Sequence, residues 1–585
     1  MSSSPRFTAL PGLTGSPLRL AALAFAGLAA GLTGACSLTL SFDECQVDAD
    51  CIDAGYTCDN GKCVGGDDEV GTDSGTGSET ATDSGSETAT DSGTDTIGDE
   101  CTSHLECVAA HSETWVCGSA GTCMNAITPE CQIFAWPNGT PSDDVVIVGS
   151  IMAVSPPFDT LVLPLQNAVD MAVEEFNDEA ELPDGQKLAW IACDSKGSTD
   201  LAKAAAEHLV ATGAPAIVGP IFSEEVLAVA QDVTIPAGVF LITPTGSNKN
   251  ITSLADDDLV WRTISSDTYQ ANAIADRLLA VPDDKLGTLP LGPLDFDNMV
   301  IVHKNDAYGT DLATDIVGAL DPSLGNVTDV YGYDVPLDTD DLQTEIGNLL
   351  APIAGGANPP EIVVIAGTSE AQAIILIYLS LANTLNPAPP FPYFVVSHGA
   401  VPAMQYTISP GATQAGVMVQ GLLYSYMEGV APIIFDEQNF GQFNIRYKVK
   451  FNGQDSITTA SLSYDALMVS AFAMSAIPSG EPITGANIAA QMSKLVDPDG
   501  TFVSFGENMF ITTAVNALSV GGSVDLKGVS GELEFDLATG EPRTGLLGWQ
   551  VIPLNNDVTK PALNPERIYV LNPEPAIDGM WAPLP

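Results

Sequence analysis

From about residue 143 the chain alternates short apolar runs with longer segments whose apolar positions recur at helical spacing. Val145 to Met152 is a mostly apolar run and predicts a buried strand. Leu165, Ala168, Val169, Ala172, Val173 and Phe176 then fall on one face of a helix. A strand over Leu188 to Cys193, a helix opened by Ser198-Thr199-Asp200, a strand at Ala216 to Val218, a helix from near Ser223 and a strand over Val239 to Ile242 follow. This β-α-β-α-β order predicts a parallel sheet covered on both faces. A second series starts after Asp267, with strands near 299–303, 329–334, 361–366 and 393–397 and helices near 309–319, 340–350 and 370–383. Two series predict two lobes. Open parallel sheets bind ligands outside the carboxyl ends of their strands, so two facing lobes would share one cleft.

The first 142 residues follow a different pattern. Arg6 and Arg19 precede the apolar run Leu20 to Leu32, which is too short to span a membrane and is flanked like an export signal. Thr33-Gly34-Ala35-Cys36 then resembles a bacterial lipoprotein signal, with Thr33 standing where Leu is usual. That resemblance implies removal of residues 1–35, lipid on Cys36, and a membrane-anchored protein facing the periplasm or the cell exterior. Ordinary cleavage after Ala35 is the alternative. The eleven cysteines support an oxidising compartment: with Cys36 lipidated, ten remain to pair. Cys45, Cys51, Cys58 and Cys63 form one four-cysteine module (36–64), and Cys101, Cys107, Cys117 and Cys123 a second (101–131). Each allows three pairings, and Cys131 and Cys193 are left as a further candidate disulfide. Neither module has the close Cys-x-x-Cys pairs of a zinc site, so no metal is expected. Between the modules, residues 65–100 are an acidic Gly/Ser/Thr/Asp tether with SETATDSG twice in tandem, unable to offset its own ordering cost. Together these parts predict a disordered, disulfide-rich stalk.

Charge narrows the partners. With 19 basic and 75 acidic residues the net charge is −56, and no Lys or Arg occurs between Lys62 and Lys187. Such a chain lacks the basic footprint that nucleic acid requires. No cofactor motif is present, and an enzyme is not expected: there is no His-Glu-x-x-His, no Gly-x-Ser-x-Gly elbow and no Asp-x-Asp-x-Asp-Gly calcium loop. A hydrolase would need Ser223 or Ser247 in reach of His398 and a carboxylate, and those residues are expected on opposite lobes. The candidate binding chemistry lies in 216–247, where two strand ends present Ser223 and the turn Thr243-Pro244-Thr245-Gly246-Ser247. Hydroxyls and free amides at such ends suit a small carboxylate. Taken singly, Ser223 is also a plausible helix cap and Ser247 a turn residue.

Five segments, in order, resemble the type I periplasmic binding proteins of the leucine/isoleucine/valine-binding family. They are VVIVGSIM…LPLQNAVDMAVEEFN, GPIFSEEVLAVA…LITPTGS, Arg262-Thr263-Ile264-Ser265-Ser266-Asp267 with Gln270, Asn305-Asp306-Ala307-Tyr308-Gly309, and Tyr464-Asp465-Ala466 with GELEFDLATGE. The resemblance implies an α/β, two-lobed fold over 143–550: two doubly wound parallel sheets joined by hinge crossovers. The first lobe runs from about 143–265 and the second from about 268–400, with later segments returning between lobes. It leaves 551–585 as a Pro-rich tail. It implies that Ser223 and Ser247 hold a ligand carboxylate, assisted by the main chain at Thr245. Tyr308 closes from the second lobe, with Thr368 or Ser369 at the next strand end. Where amino-acid binders place an acidic residue for the ligand's ammonium, this chain has His398, with Asp306 and Glu370 as substitutes. The implied function is delivery of a small carboxylate ligand, an amino acid or a relative, to an ABC permease. The alternative is a sensing module acting with a separate signalling partner.

Overall fold

The computed structural model describes residues 56–59, 62–65, 99–279, 299–320, 327–335, 339–356, 359–384, 392–400, 424, 426–432, 437–553, 561–573 and 575–584. The leader, Cys36, Cys45, Cys51 and nearly all of the acidic tether lie outside them. The chain divides into two units, 1–96 and 97–585. In the first, Tyr56–Asp59 and Lys62–Gly65 pair antiparallel, with Cys58 opposite Cys63.

The second unit opens with the second cysteine module. Of the three pairings the spacing permits, the fold selects Cys101–Cys117 and Cys107–Cys123. The predicted Cys131–Cys193 disulfide also forms. It fixes the end of the module beside β1 (Ile133–Ala135). The first lobe continues through β2 (Val145–Met152), α1 (Asp159–Glu179), β3 (Lys187–Asp194), α2 (Thr199–Thr212), β4 (Ala216–Val218), α3 (Ser223–Val229), β5 (Phe240–Thr243) and β6 (Val260–Arg262). Its sheet order is β6-β5-β4-β2-β3-β1, parallel except for β1.

All eight residues of β2 are buried, as a strand covered on both faces must be. Alternate residues serve opposite cores: Val146, Val148 and Met152 pack with Phe176 and Phe472, while Val145, Ile147 and Ile151 pack with Leu209 and Leu241. Helix α2 starts at a Ser198 side chain that accepts from Leu201 N, and ends at Gly213 with φ 91°.

The second lobe comprises α4 (Asp267–Leu279), β7 (Met299–Lys304), α5 (Ala307–Ala319), β8 (Val327–Tyr333), α6 (Thr339–Ala354), β9 (Ile362–Ala366), α7 (Ala371–Thr384), β10 (Tyr393–Val396) and β11 (Met427–Ala431). The chain then returns to the first lobe as α8 (Glu437–Lys450) and α9 (Thr458–Ser475), and α9 packs against α1. Every residue from Thr459 to Ser475 is buried, which accounts for a helix apolar all round its surface.

Beyond it, β12 (Leu546–Pro553), β13 (Pro561–Leu571) and β14 (Gly579–Pro583) extend the second sheet antiparallel, in the order β8-β7-β9-β10-β11-β12-β13-β14. The expected Pro-rich tail is therefore part of the second lobe. Pro565 falls where the register shifts between Gly548 and Trp549, and Pro561 and Pro583 stand at strand ends, positions where proline is tolerated.

The crossovers are fastened to one another. Arg262, at the end of β6, is buried and ion-paired with Glu541, and its Nη1 donates to Asn248 O at 2.9 Å. Arg262 N donates to Gly540 O at 2.9 Å, and Ser265 Oγ to Pro542 O at 2.8 Å. Asp465 on α9 accepts from Val529 N (2.9 Å) and Ser530 N (2.8 Å), so the same helix holds the return segment.

Candidate functional site

Both sheets carry the strand order 2-1-3-4-5 in their parallel part, β3-β2-β4-β5-β6 and β8-β7-β9-β10-β11. In each, the connections leave the first and third strands in opposite directions, opening a crevice at their carboxyl ends. In the first lobe that crevice lies between the segment after β2, which carries Phe158, and the segment after β4, which carries Ile221, Phe222 and Ser223. In the second it lies between the segment after β7, with Asp306 and Tyr308, and the segment after β9, with Thr368 and Ser369. Gly219 makes the first turn possible: its φ is 100°, and a Cβ there would stand 2.2 Å from Ile151 O.

One cavity of about 100 Å³ is lined from both crevices at once. Its walls include Phe158, Leu161, Val162, Leu165, Ile221 and Phe222 from the first lobe, and Asp306, Tyr308, Thr368, Ser369, His398 and Gly399 from the second. Ser223, Thr245 and Thr459 complete it. The lobes touch directly beside the cavity, where Asn248 Nδ2 donates to Ala307 O (2.6 Å) and to Asp311 Oδ2 (2.9 Å). Lys249 pairs there with Asp315.

Of the residues singled out from sequence, Ser223, Thr245, Tyr308, Thr368, Ser369 and His398 meet on this one wall. Ser223 does not cap its own helix: its Oγ accepts from Asn248 N at 3.2 Å, joining two strand ends. Thr245 Oγ1 donates to Ile221 O at 2.8 Å. Thr368 N and its hydroxyl both donate to Glu370, which also accepts from Tyr333 OH at 2.7 Å. Glu370 is thus committed to the protein and lies off the wall. Asp306 is on the wall, but it caps α5 by accepting from Gly309 N (2.8 Å) and pairs with Lys304 Nζ (2.8 Å).

Ser247 is the exception. It is fully buried, lies outside the cavity lining, and its Oγ sits 3.5 Å from His398 Nε2. The turn that presents Thr245 to the cavity directs Ser247 into the hinge instead. Thr459 is the residue that sequence reading missed. It lies in the first turn of α9, is 6% exposed, and its Oγ1 has no hydrogen-bond partner among the described residues. Its sequence context reads as helix core, and only the return of α9 to the first lobe brings it to the cavity.

His398 is fixed by its neighbours. Gln270 Oε1 accepts from His398 N (2.8 Å), which turns the Gln270 amide nitrogen toward Asp267 Oδ1 (2.8 Å) and His398 Nδ1 (3.0 Å). Nδ1 is therefore an acceptor and the ring proton sits on Nε2, facing Ser247. Burial lowers the imidazole pKa to about 3, so the ring is neutral. Tyr308 OH, 3.2 Å from Nδ1, accepts from Gly399 N at 3.4 Å.

Ser247, His398 and Asp267 thus come together from the two lobes, against expectation. Even so, the arrangement cannot activate a nucleophile. The nitrogen facing the serine already carries a proton, the ring is too weak a base, and Ser247 does not reach the cavity.

Three buried carboxylates are displaced upward, chiefly by burial: Asp267, Glu225 and Asp465 are each pushed up to about 7. A carboxyl raised in the fold contributes stability that is complete below its unfolded value, about 4, and is lost as pH rises through the folded value. His398 opposes this, since its contribution is present above 6.5 and is lost as pH falls toward 3. His104 and His208, also lowered by burial, act with His398, while Glu179 and Asp256, also raised by burial, act with the three carboxylates; the carboxylates prevail, so the melting temperature should fall as pH rises from about 4 to about 7. A melting series across that window should show a shallower slope for Glu225→Gln, and an unchanged slope would refute this account.

A sequence profile described as periplasmic binding protein matches residues 145–517. No curated protein matches the chain by sequence. Among solved structures, the chain resembles the branched-chain amino acid transporter substrate-binding protein of Streptococcus pneumoniae in complex with isoleucine. That likeness has 17% identity and a TM-score of 0.51, over 72% of this chain and 99% of the other. It also resembles a possible leucine/isoleucine/valine-binding protein from Rhodopirellula baltica (13%, TM-score 0.52, 73% and 98%). A third likeness is the solute-binding protein of an R. palustris ABC transporter in complex with 4-hydroxybenzoate (15%, TM-score 0.52, 73% and 97%). These likenesses agree with the two-lobed fold, and the profile match covers more than half of the sequence. The chain belongs to the periplasmic binding protein family.

Proposed function

We propose that this protein is a lipid-anchored, extracytoplasmic solute-binding protein that captures a small carboxylate-bearing ligand between its lobes and delivers it to an ABC permease. The observation that carries the reading is a cavity lined from both switch points at once. A ligand seated there would touch both lobes, and contacts completed only in the closed state would draw the lobes together. The isoleucine and 4-hydroxybenzoate found with two of its structural neighbours share a carboxylate and little else, which supports a binding scheme centred on that group. The export signal, Cys36 and the acidic tether support anchoring with the binding domain held away from the membrane. No described helix is long and apolar enough to cross a membrane.

The test is a melting-shift screen of the full mature chain against amino acids, amides and short carboxylates, with small-angle scattering on each hit. At least one carboxylate should raise the melting temperature and compact the protein. Ser223→Ala and Tyr308→Phe should each weaken that ligand by about tenfold, the value of one hydrogen bond to a charged group. No shift with any member of the panel would reject the reading.

A further inference from the structure

Among the described residues the cavity pairs hydroxyls with an apolar surface, and it offers no uncommitted carboxylate for a cation. An α-ammonium enclosed there would need a carboxylate with acceptor capacity to spare. Asp306 is the sole carboxylate on the described wall, and its oxygens already serve Gly309 N and Lys304 Nζ. Glu370 accepts three hydrogen bonds from Tyr333 and Thr368 and lies off the wall. Where a second-lobe strand end could supply a further acidic group stands His398, whose two ring nitrogens face Gln270 and Ser247. It meets Tyr308 edge to face, with ring centroids 5.2 Å apart. What His398 offers the cavity is an uncharged ring.

The opposite wall is apolar. Phe158 and Phe222 stand in a T-shaped pair with centroids 5.2 Å apart, continued by the first turns of α1 through Leu161 and Leu165. Gly197 leaves room for Phe158: a Cβ there would lie 2.6 Å from its ring. Lys304 Nζ lies over the Phe222 ring, 5.4 Å from its centroid, adding a positive group near a site whose described carboxylates are already engaged. Thr459 supplies the remaining sign. Its buried Oγ1 has no partner among the described residues, so a ligand acceptor at that point would satisfy it.

We propose, building on the solute-binding reading above, that the ligand is an aryl or branched-alkyl monocarboxylate without an α-ammonium group. Its carboxylate is received by the Ser223 and Thr459 hydroxyls, and its body packs on Phe158, Leu161 and Phe222. Thr459 is then a specificity-determining residue on an element far from the other ligand contacts in sequence.

Matched pairs test this on the full mature chain by calorimetric titration: 3-phenylpropanoate against phenylalanine, and 4-methylpentanoate against leucine. Each deamino acid should bind about 100-fold more tightly than its amino acid, because an enclosed ammonium without a partner costs several kcal/mol. Thr459→Val should weaken the better acid about tenfold, and Thr459→Ser should restore it. Equal or tighter binding of the amino acids would overturn the ligand class while leaving the solute-binding reading intact. Binding by neither series, in a panel where amino acids, amides and other carboxylates also fail, would overturn both. An acid series that binds normally to Thr459→Val would remove Thr459 from the site.

Discussion

Arg262→Ala should lower the stability of the two-lobed domain by about 3–5 kcal/mol. The side chain is 1% exposed and pairs with Glu541, itself 3% exposed. Removing the guanidinium leaves a buried carboxylate with no compensating charge, which costs more than the pair itself contributes. The loss also frees Asn248 O and Thr252 Oγ1, both acceptors of Arg262. Because Arg262 ends β6 and Glu541 lies just before the return to β12, the pair joins two of the segments that connect the lobes. Burial has already lowered the Arg262 pKa to about 10, so the cost of holding the charge there is substantial. Replacing both partners, Arg262→Met with Glu541→Leu, should therefore recover most of the loss, since neither charge is left stranded. Urea unfolding of the single and double variants measures both effects. A single-variant loss below about 1 kcal/mol would place the pair among weak surface bridges.

The second large effect belongs to the disulfide between the cysteine module and β3. Cys131–Cys193 closes a loop across a sequence separation of 62. On loop entropy alone, opening it should cost about 4 kcal/mol. The paired substitution Cys131→Ser with Cys193→Ser should lower the melting temperature accordingly. It should leave ligand affinity unchanged, because the link lies outside the cavity walls. The module should also remain docked, since Trp136 Nε1 donates to Glu113 O (2.7 Å), Ser119 N to Ala211 O (2.9 Å), and His208 Nε2 lies 3.0 Å from Ala126 O. Protease sensitivity within 99–131 would rise only modestly. A variant that melts like the parent would mean that these contacts alone secure the module.

Much of this architecture is legible in the pattern of residues because its signals are local. The apolar run at Val145–Met152 is a strand, the face through Leu165 and Phe176 is buried, and the two α/β series are the two lobes. The pairing of Cys131 with Cys193 was also accessible, since the modules account for their own cysteines. Inside the second module the choice of Cys101–Cys117 and Cys107–Cys123 was not, because all three pairings satisfy the same spacing. The terminal strands were hidden for a different reason. Prolines at 561 and 565 speak against a strand locally, and only pairing with β12 and β14 overrides them.

The binding residues divide in the same way. Strand ends, turn glycines and hydroxyl positions are properties of short segments, and they pointed to Ser223 and the 243–247 turn; the resemblance to type I binding proteins added Tyr308, Thr368 and His398. Whether a given polar atom is free to meet a ligand depends on contacts between segments far apart in sequence. Ser247 faces His398, 151 positions away, and is withdrawn from the cavity. Gln270 fixes the His398 proton across 128 positions. Thr459 enters on a helix that returns to the first lobe after the second, and its hydroxyl has no partner among the described residues. Local pattern determines which groups stand near a cleft; long-range packing decides which of them have already spent their hydrogen bonds.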